Sequence, residues 1–410
     1  MTKISHKIYK AFPQSLRSYA LRTVTQVLAP SPLLWRKSPP AITPQTPCII
    51  VGLLRSPYSF GILARQIAED LKNHTEVFGI DLSDAFPQNT SVAQNHNLFP
   101  PPKTDRTYHL ILVINAPQTP YALMHIPRWI LKNAFISGYW AWELESIPKS
   151  WCVIENRLDE MIVPSGFVRE AVIKRFPNKK ITFMPPPLKG NLPPLADFQS
   201  MLQDPLVVLS SCNMASSAER KNPLGTAMAF MEAFPAQSGP VLRLHLNNPD
   251  AEPEAACAIQ ALVKGRSDIE LSMGTLPREA YLNWWEGGHL FCSLHRAEGF
   301  GLGLAEAMAS GYAAMGTAYS APLDFMTQDN SFLIDYTKVE IKEARFVKGF
   351  RQSFFKKSFP KPFWADPDLA HACSVLRILN QERDILVRKA MRGKKDMSVY
   401  YDGAGRKLGS

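Results

Sequence analysis

HLFCSL (289–294), HRAEGFGLGLAEAMASG (295–311) and YAAMG (312–316) follow one another in this chain and read as strand, glycine-rich turn, helix and strand. The unit predicts a parallel sheet, because only a crossover of this kind joins two parallel strands. Working outward, the same rhythm recurs upstream in LVVLSS (206–211), VLRLHL (241–246) and IELSMG (269–274), with helices after Pro223 and from about Glu252. An earlier series starts afresh at CIIVG (48–52) and continues through EVFGI (76–80), HLILVI (109–114), FISGYW (135–140), EMIVP (160–164) and ITFMP (181–185). Residues 188 to about 204, with Gly190, Pro193 and Pro194, read as the link between the two series. Asp366 to Arg392 reads as one long amphipathic helix opened by Asp-Pro.

The length of 410 residues suits two ordinary domains. Divisions fall at a basic extension (1–46), an N-terminal domain (47–200), a C-terminal domain (201–380) and a helical tail (381–410) returning to the first domain. Both domains are read as α/β, Rossmann-like and doubly wound, facing a central cleft. In such sheets ligands bind beyond the carboxyl ends of the strands, which selects the segments after Gly52, Ile114, Trp140, Ser211 and Leu294.

The six cysteines are scattered, with no CxxC pair and no Cys/His cluster at zinc spacing, so reduced thiols are expected. The chain has no apolar run of membrane-spanning length and no signal-peptide core, which gives a cytosolic expectation.

The formal charge of +10 is concentrated at the start: nine Lys or Arg residues precede the first acid, Glu69. Residues 13 to 28 carry Leu16, Tyr19, Val24 and Leu28 at helical spacing beside Arg17 and Arg22. That pattern fits either an amphipathic helix on an anionic membrane surface or a helix packed on the body. The stretch from Arg345 to Trp364 holds six Lys or Arg residues, seven aromatics and no acid. It reads as a membrane or lipid-acceptor contact, a nucleic-acid patch or a packed loop; across the whole chain no nucleic-acid partner is expected.

The turn after Leu294 carries the chemistry. Its glycines free backbone N–H groups at the positive end of a helix, a seat for phosphate or sugar oxygens. Glu298 precedes the helix and can reach sugar hydroxyls, while Glu306 can accept two hydrogen bonds from a ribose diol. Ser216-Ser217-Ala218-Glu219-Arg220-Lys221-Asn222-Pro223 follows another strand and opens another helix. Arg220 can fork onto a leaving diphosphate and Lys221 can add a compact charge; the same residues also fit a capped helix start with solvated cations. No DxD-type carboxylate cluster stands out, so neither a metal nor another cofactor is expected.

Two glutamates with the seven residues GFGLGLA between them, and the EAMASG continuation, closely resemble the signature of family-4 (group 1) retaining glycosyltransferases of the GT-B architecture. SSxERKNP is similar to that family's diphosphate-binding stretch. VINAPQT, GYWAWELESIPKSW and DEMIVPSGFVREAV resemble a subset of the family in its first domain. The likeness covers roughly residues 48–335 and 364–380. It implies that Glu298 contacts the donor sugar, that Gly299, Phe300, Gly301 and Leu302 sit by sugar and phosphate with Asn222 nearby, and that Glu306 holds the ribose. Arg220 and Lys221 would stabilise the departing diphosphate with no metal.

Trp140, Trp142, Glu143 and Glu145 follow a strand and are suggestive, since aromatic faces stack on sugars and carboxylates bind their hydroxyls; Gly61, Asn115, Trp142 and Glu143 are the cleft or acceptor candidates. A buried Trp pair with a salt-bridged Glu fits the same residues. The histidine that many family members carry in the first domain has no clear counterpart, His125 being a weak candidate. The implied activity is transfer of a sugar from a nucleoside-diphosphate donor to a saccharide or lipid-linked acceptor, in cell-envelope polysaccharide or glycolipid assembly. The implied location is cytoplasmic, peripheral at the inner membrane face. An epimerase or phosphorylase of the same architecture, or a non-catalytic sugar- or lipid-binding protein, are the rival readings.

Overall fold

Both strand series form parallel six-stranded sheets in the computed structural model, which describes residues 38–56, 59–85, 96–188, 192–341 and 362–404. The first sheet contains β1 (Cys48–Gly52), β2 (Val77–Asp81), β3 (Tyr108–Leu112), β4 (Ala134–Tyr139), β5 (Glu160–Val163) and β6 (Lys180–Phe183), in the order β2-β1-β3-β4-β5-β6. The second contains β7 (Val207–Asn213), β8 (Val241–Asn247), β9 (Ile269–Met273), β10 (Leu290–Ser293), β11 (Ala313–Thr317) and β12 (Phe332–Ile334), in the order β12-β11-β10-β7-β8-β9. Helices cover both faces, which is why central strands such as β1, β4 and β11 are buried along their whole length and read as unbroken apolar or small-residue runs.

Each order has one reversal. The chain leaves β1 toward opposite sides of the first sheet, between β1 and β3, and leaves β7 likewise between β7 and β10 in the second. At such a point two neighbouring loops diverge and open a crevice. In the second sheet these are the loops carrying residues 214–222 and 294–301, so topology alone pairs the cationic stretch with the glycine-rich turn.

The C-terminal third departs from expectation. Asp366 and Pro367 end a strand, β14 (Phe363–Pro367), which pairs antiparallel with β13 (Tyr336–Glu340). The long helix is two helices, Leu369–Gln381 and Arg383–Ala404. Asp368 caps the first, accepting from the His371 N–H at 2.9 Å, and Glu382 breaks the register at φ −110°, ψ 70°. Ile341, Trp364 and Ala365 of the β13–β14 hairpin are buried within the core of the first sheet. The end of the basic aromatic stretch is therefore packing: Trp364 is enclosed, with the Arg296 guanidinium 5.6 Å from its ring centre. Residues 342–361, like the expected helix over 13–28, lie outside the described residues.

The final helix runs back to the first half of the chain. The Tyr401 hydroxyl donates to the Pro186 carbonyl at 2.9 Å and the Tyr400 ring meets Phe183 edge-on. No helix among the described residues is long and apolar enough to cross a membrane. All six cysteines are unpaired, Cys152 and Cys257 being exposed.

Candidate active site

The glycine-rich turn takes its shape from Gly301, at φ 90° and ψ 50°, a left-handed conformation that costs a residue with a Cβ. A Cβ there would also stand 2.8 Å from the Pro322 ring. The turn launches the Leu302–Ser310 helix, whose first N–H groups have no intrahelical acceptor. Those of Gly301, Leu302 and Gly303 donate to nothing among the described residues. Phe300 turns its ring into the core against Phe325, which leaves only its backbone to the turn, and Leu302 is half-buried at the helix start. Glu306 lies in the second turn of this helix and is almost wholly enclosed.

Glu298 sits just before the turn with its side chain 8% exposed. Its backbone N–H donates to Ser320 Oγ at 2.9 Å, and Ser320 holds φ 68° to present that oxygen. The Glu298 carboxylate lies 2.5 Å from Lys221 Nζ and 3.4 Å from Arg220 Nη1. Burial by itself would raise its pKa, but the two cations overcome this and hold it at about 2.

Arg220 and Lys221 have different situations. The Arg220 side chain is 3% exposed, and its fork is taken by two carbonyls, Ala297 at 2.6 Å and Ser216 at 2.9 Å. Each terminal nitrogen keeps a second N–H, but the enclosure of the side chain means that a direct fork onto phosphate, as expected from the residue type, would require the surrounding loops to open. Lys221, with 25% of its side chain exposed, is the cation that faces outward. Asn222 is held within the loop as well. It adopts φ 55° between two helices, donates from Nδ2 to the Leu294 carbonyl at 2.9 Å and accepts from Gly225 N–H at 3.1 Å. Both ends of its amide are engaged, so it fixes the loop.

One residue of the first half reaches the cluster. Glu143 Oε1 lies 3.7 Å from Arg220 Nη2. Its carboxyl is pushed up by burial and by the neighbouring Glu298 charge, with Arg220 opposing. Ser165 Oγ also donates to the Gly299 carbonyl at 2.8 Å, while Asp324 accepts from the Gly166 N–H at 2.6 Å. A Cβ on Gly299 would lie 2.7 Å from the Trp142 carbonyl oxygen, so glycine is what allows the two halves to touch there.

The side chains of the remaining candidates stand apart from this cluster. The Trp142 ring is buried, packed 4.7 Å from Trp151, and its Nε1 donates to the Ser146 carbonyl at 2.9 Å. Trp140 is fully enclosed as well, so neither ring is placed to stack on a sugar. Gly61 lies in the first turn of the helix after β1, where a side chain would strike the Ser56 and Leu53 carbonyls. Asn115 follows β3 with its Oδ1 buried and unpartnered among the described residues. These two flank the reversal of the first sheet, and no hydrogen bond or ion pair among the described residues joins them to Glu298. His125 packs on its own helix, against Tyr121.

Glu145 stood among the residues suggestive by type; Ser320, Ser165 and Asp324 were not singled out for the site. Ser165 had a signal, as a helix cap; the others join segments far apart in sequence and leave no local mark. His295 was quoted in the motif without a role: buried and held between the Ser293 and Tyr319 carbonyls, it ties the turn to the loop that carries Ser320.

The depressed Glu298 pKa predicts an acid limb in the stability curve. The unfolded carboxyl takes its proton near 4.5 and the folded one near 2, so the stabilisation is complete above 4.5 and is lost as pH falls toward 2. Glu298→Gln is expected to flatten this part of a melting-temperature profile relative to the parent. Parallel profiles between pH 4.5 and 2.5 would contradict the ion-pair geometry.

No family model and no curated protein sequence matches the chain. Solved structures do. Sucrose-phosphate synthase from Thermosynechococcus elongatus superposes with a TM-score of 0.57 at 14% identity, covering 88% of this chain and 96% of that one. Anabaena HepE in complex with UDP and glucose gives 0.54 at 9% identity, over 87% and 95%. The fold is GT-B. TarM matches at 0.50 and 15% identity over 72% of this chain, which spans only 53% of TarM.

Proposed function

We propose that the chain is a metal-independent glycosyltransferase that moves a sugar from a nucleoside-diphosphate donor to an acceptor hydroxyl with retention of configuration. The observation that carries the reading is the convergence of Lys221, Arg220 and Glu298 beside the open N-terminus of the Leu302–Ser310 helix. HepE, of like fold, has been solved with UDP-glucose and with UDP and glucose, which supports a nucleotide-sugar donor of that general kind.

The chemistry follows from where charge develops. As the bond from the anomeric carbon to the diphosphate breaks, negative charge gathers on the leaving oxygen and positive charge on the ring. Lys221 and the unpaired helix N–H groups stabilise the first. Arg220 acts at one remove, holding the Ala297 carbonyl and the Glu298 carboxylate in place. Ionised Glu298 orients the sugar hydroxyls and faces the developing positive ring. The acceptor hydroxyl gives up its proton as its oxygen bonds to the anomeric carbon, and the departing diphosphate oxygen on the same face receives it. No protein nucleophile is needed. A role in cell-envelope polysaccharide or glycolipid assembly at a membrane face is part of the proposal and draws on the basic N-terminal segment.

The test begins with a thermal-shift screen of nucleotide sugars, since a ligand that binds only the folded state raises the melting temperature. Glu306→Ala is expected to weaken calorimetric binding of the best donor about ten- to hundredfold, the worth of a charged hydrogen-bonding group. Unchanged affinity in a folded variant would remove Glu306 from the site. Product analysis with and without acceptor separates transfer from epimerisation and from phosphorolysis.

A further inference from the structure

A cavity lies next to the Glu298 cluster, with a volume of about 490 Å³, within the range of small-molecule sites. Its walls come from both halves of the chain. The Gly166–Arg175 helix contributes Phe167, Glu170 and Lys174, the loop after β11 contributes Tyr319, and β13 contributes Tyr336 and Lys338. Phe167, Tyr319 and Tyr336 form a continuous aromatic row, with ring centres 5.7 Å and then 5.2 Å apart. Glu145, on the same wall, accepts from the Tyr319 hydroxyl at 3.0 Å and from Lys338 Nζ at 2.6 Å, which fixes the middle ring.

The lining selects among ligands. Glu145, Glu170 and Asp324 face the same space as Lys174 and Lys338, so three carboxylates outnumber two ammonium groups. A phosphate or nucleotide would meet net repulsion, and a fatty chain would desolvate charges without pairing them. Hydroxyl groups satisfy both signs, each donating to a carboxylate and accepting from an ammonium, and a sugar adds a C–H face that packs on an aromatic ring. Ser320 lines the cavity and also accepts from the Glu298 N–H, so the space adjoins the transfer site.

We infer that this cavity is a saccharide subsite, holding a short segment of the acceptor glycan whose terminal hydroxyl reaches the Glu298 groove. That the bound glycan is the acceptor rests on the glycosyl-transfer reading; that the cavity binds a saccharide does not. The full chain is applied to an array of defined oligosaccharides of one to four units, without nucleotide. Capture of a subset is expected, and Glu170→Ala and Tyr336→Ala are each expected to lower that capture at least tenfold. Tyr336 packs on Tyr319, so the exposed Glu170 provides the variant that leaves packing intact. No capture by the parent protein, or capture unaltered in both variants, would overturn the inference. Glycan capture without any nucleotide-sugar shift would instead count against the transferase reading and leave the subsite standing.

Discussion

Lys221→Ala is expected to lower sugar transfer by about 10²- to 10³-fold, the usual cost of losing one preorganised group at a site of developing charge. Arg220 cannot stand in, because its side chain is enclosed and anchored to the Ala297 and Ser216 carbonyls. Nor does Glu298 gain from the loss. It would keep one cation at 3.4 Å and lose the one at 2.5 Å. The measurement is the initial rate with the donor that best stabilises the parent protein, alongside a melting curve to show that the partly exposed lysine is not needed for folding. Lys221→Arg should recover part of the rate by restoring the charge without the compact ammonium. A folded Lys221→Ala variant within twofold of the parent would remove this residue from the chemistry.

Arg220→Met is expected to act mainly on stability. It removes the cation between two carboxylates, Glu298 and Glu143, and abandons two buried carbonyls that accept from it. Breaking a buried pair from one side costs about 3–5 kcal/mol because the remaining charge is stranded. For a domain of this size that corresponds to a fall in melting temperature on the order of 10 °C. Adding Glu143→Gln removes one of the stranded charges, so the double variant should lose less than the single one. An unchanged melting point for Arg220→Met would refute the buried-pair description, and a double variant no better than the single would exclude Glu143 from it.

Much of the fold was legible in the sequence because parallel strands covered on both faces must be apolar along their length. CIIVG is β1 in full, and LVVLSS, VLRLHL and HLFCSL fall within two residues of β7, β8 and β10. The hairpin of β13 and β14 was not legible. Its strands, YTKVE and FWADP, carry charged residues, are separated by a long insertion, and bury Trp364 in the core of the other sheet. The break at Glu382 was hidden for a related reason. The helical period runs on through 392, and only the backbone angles at one residue show that it stops.

The sequence by itself determined the strand, glycine turn and helix around Glu298, because neighbours along the chain enforce each of its features: a left-handed residue at Gly301, freed N–H groups behind it, and an acid on either side. Only the tertiary structure decided how the cations divide their work. Arg220 and Lys221 are adjacent in sequence and alike in charge, and they differ chiefly in what distant segments bring to them. The Ala297 carbonyl and the Glu143 carboxylate close around Arg220 from 77 residues on and from the other sheet, while nothing covers Lys221 so completely. Contacts at that separation leave no period or motif in the local sequence, and they are formed only when both sheets are in place.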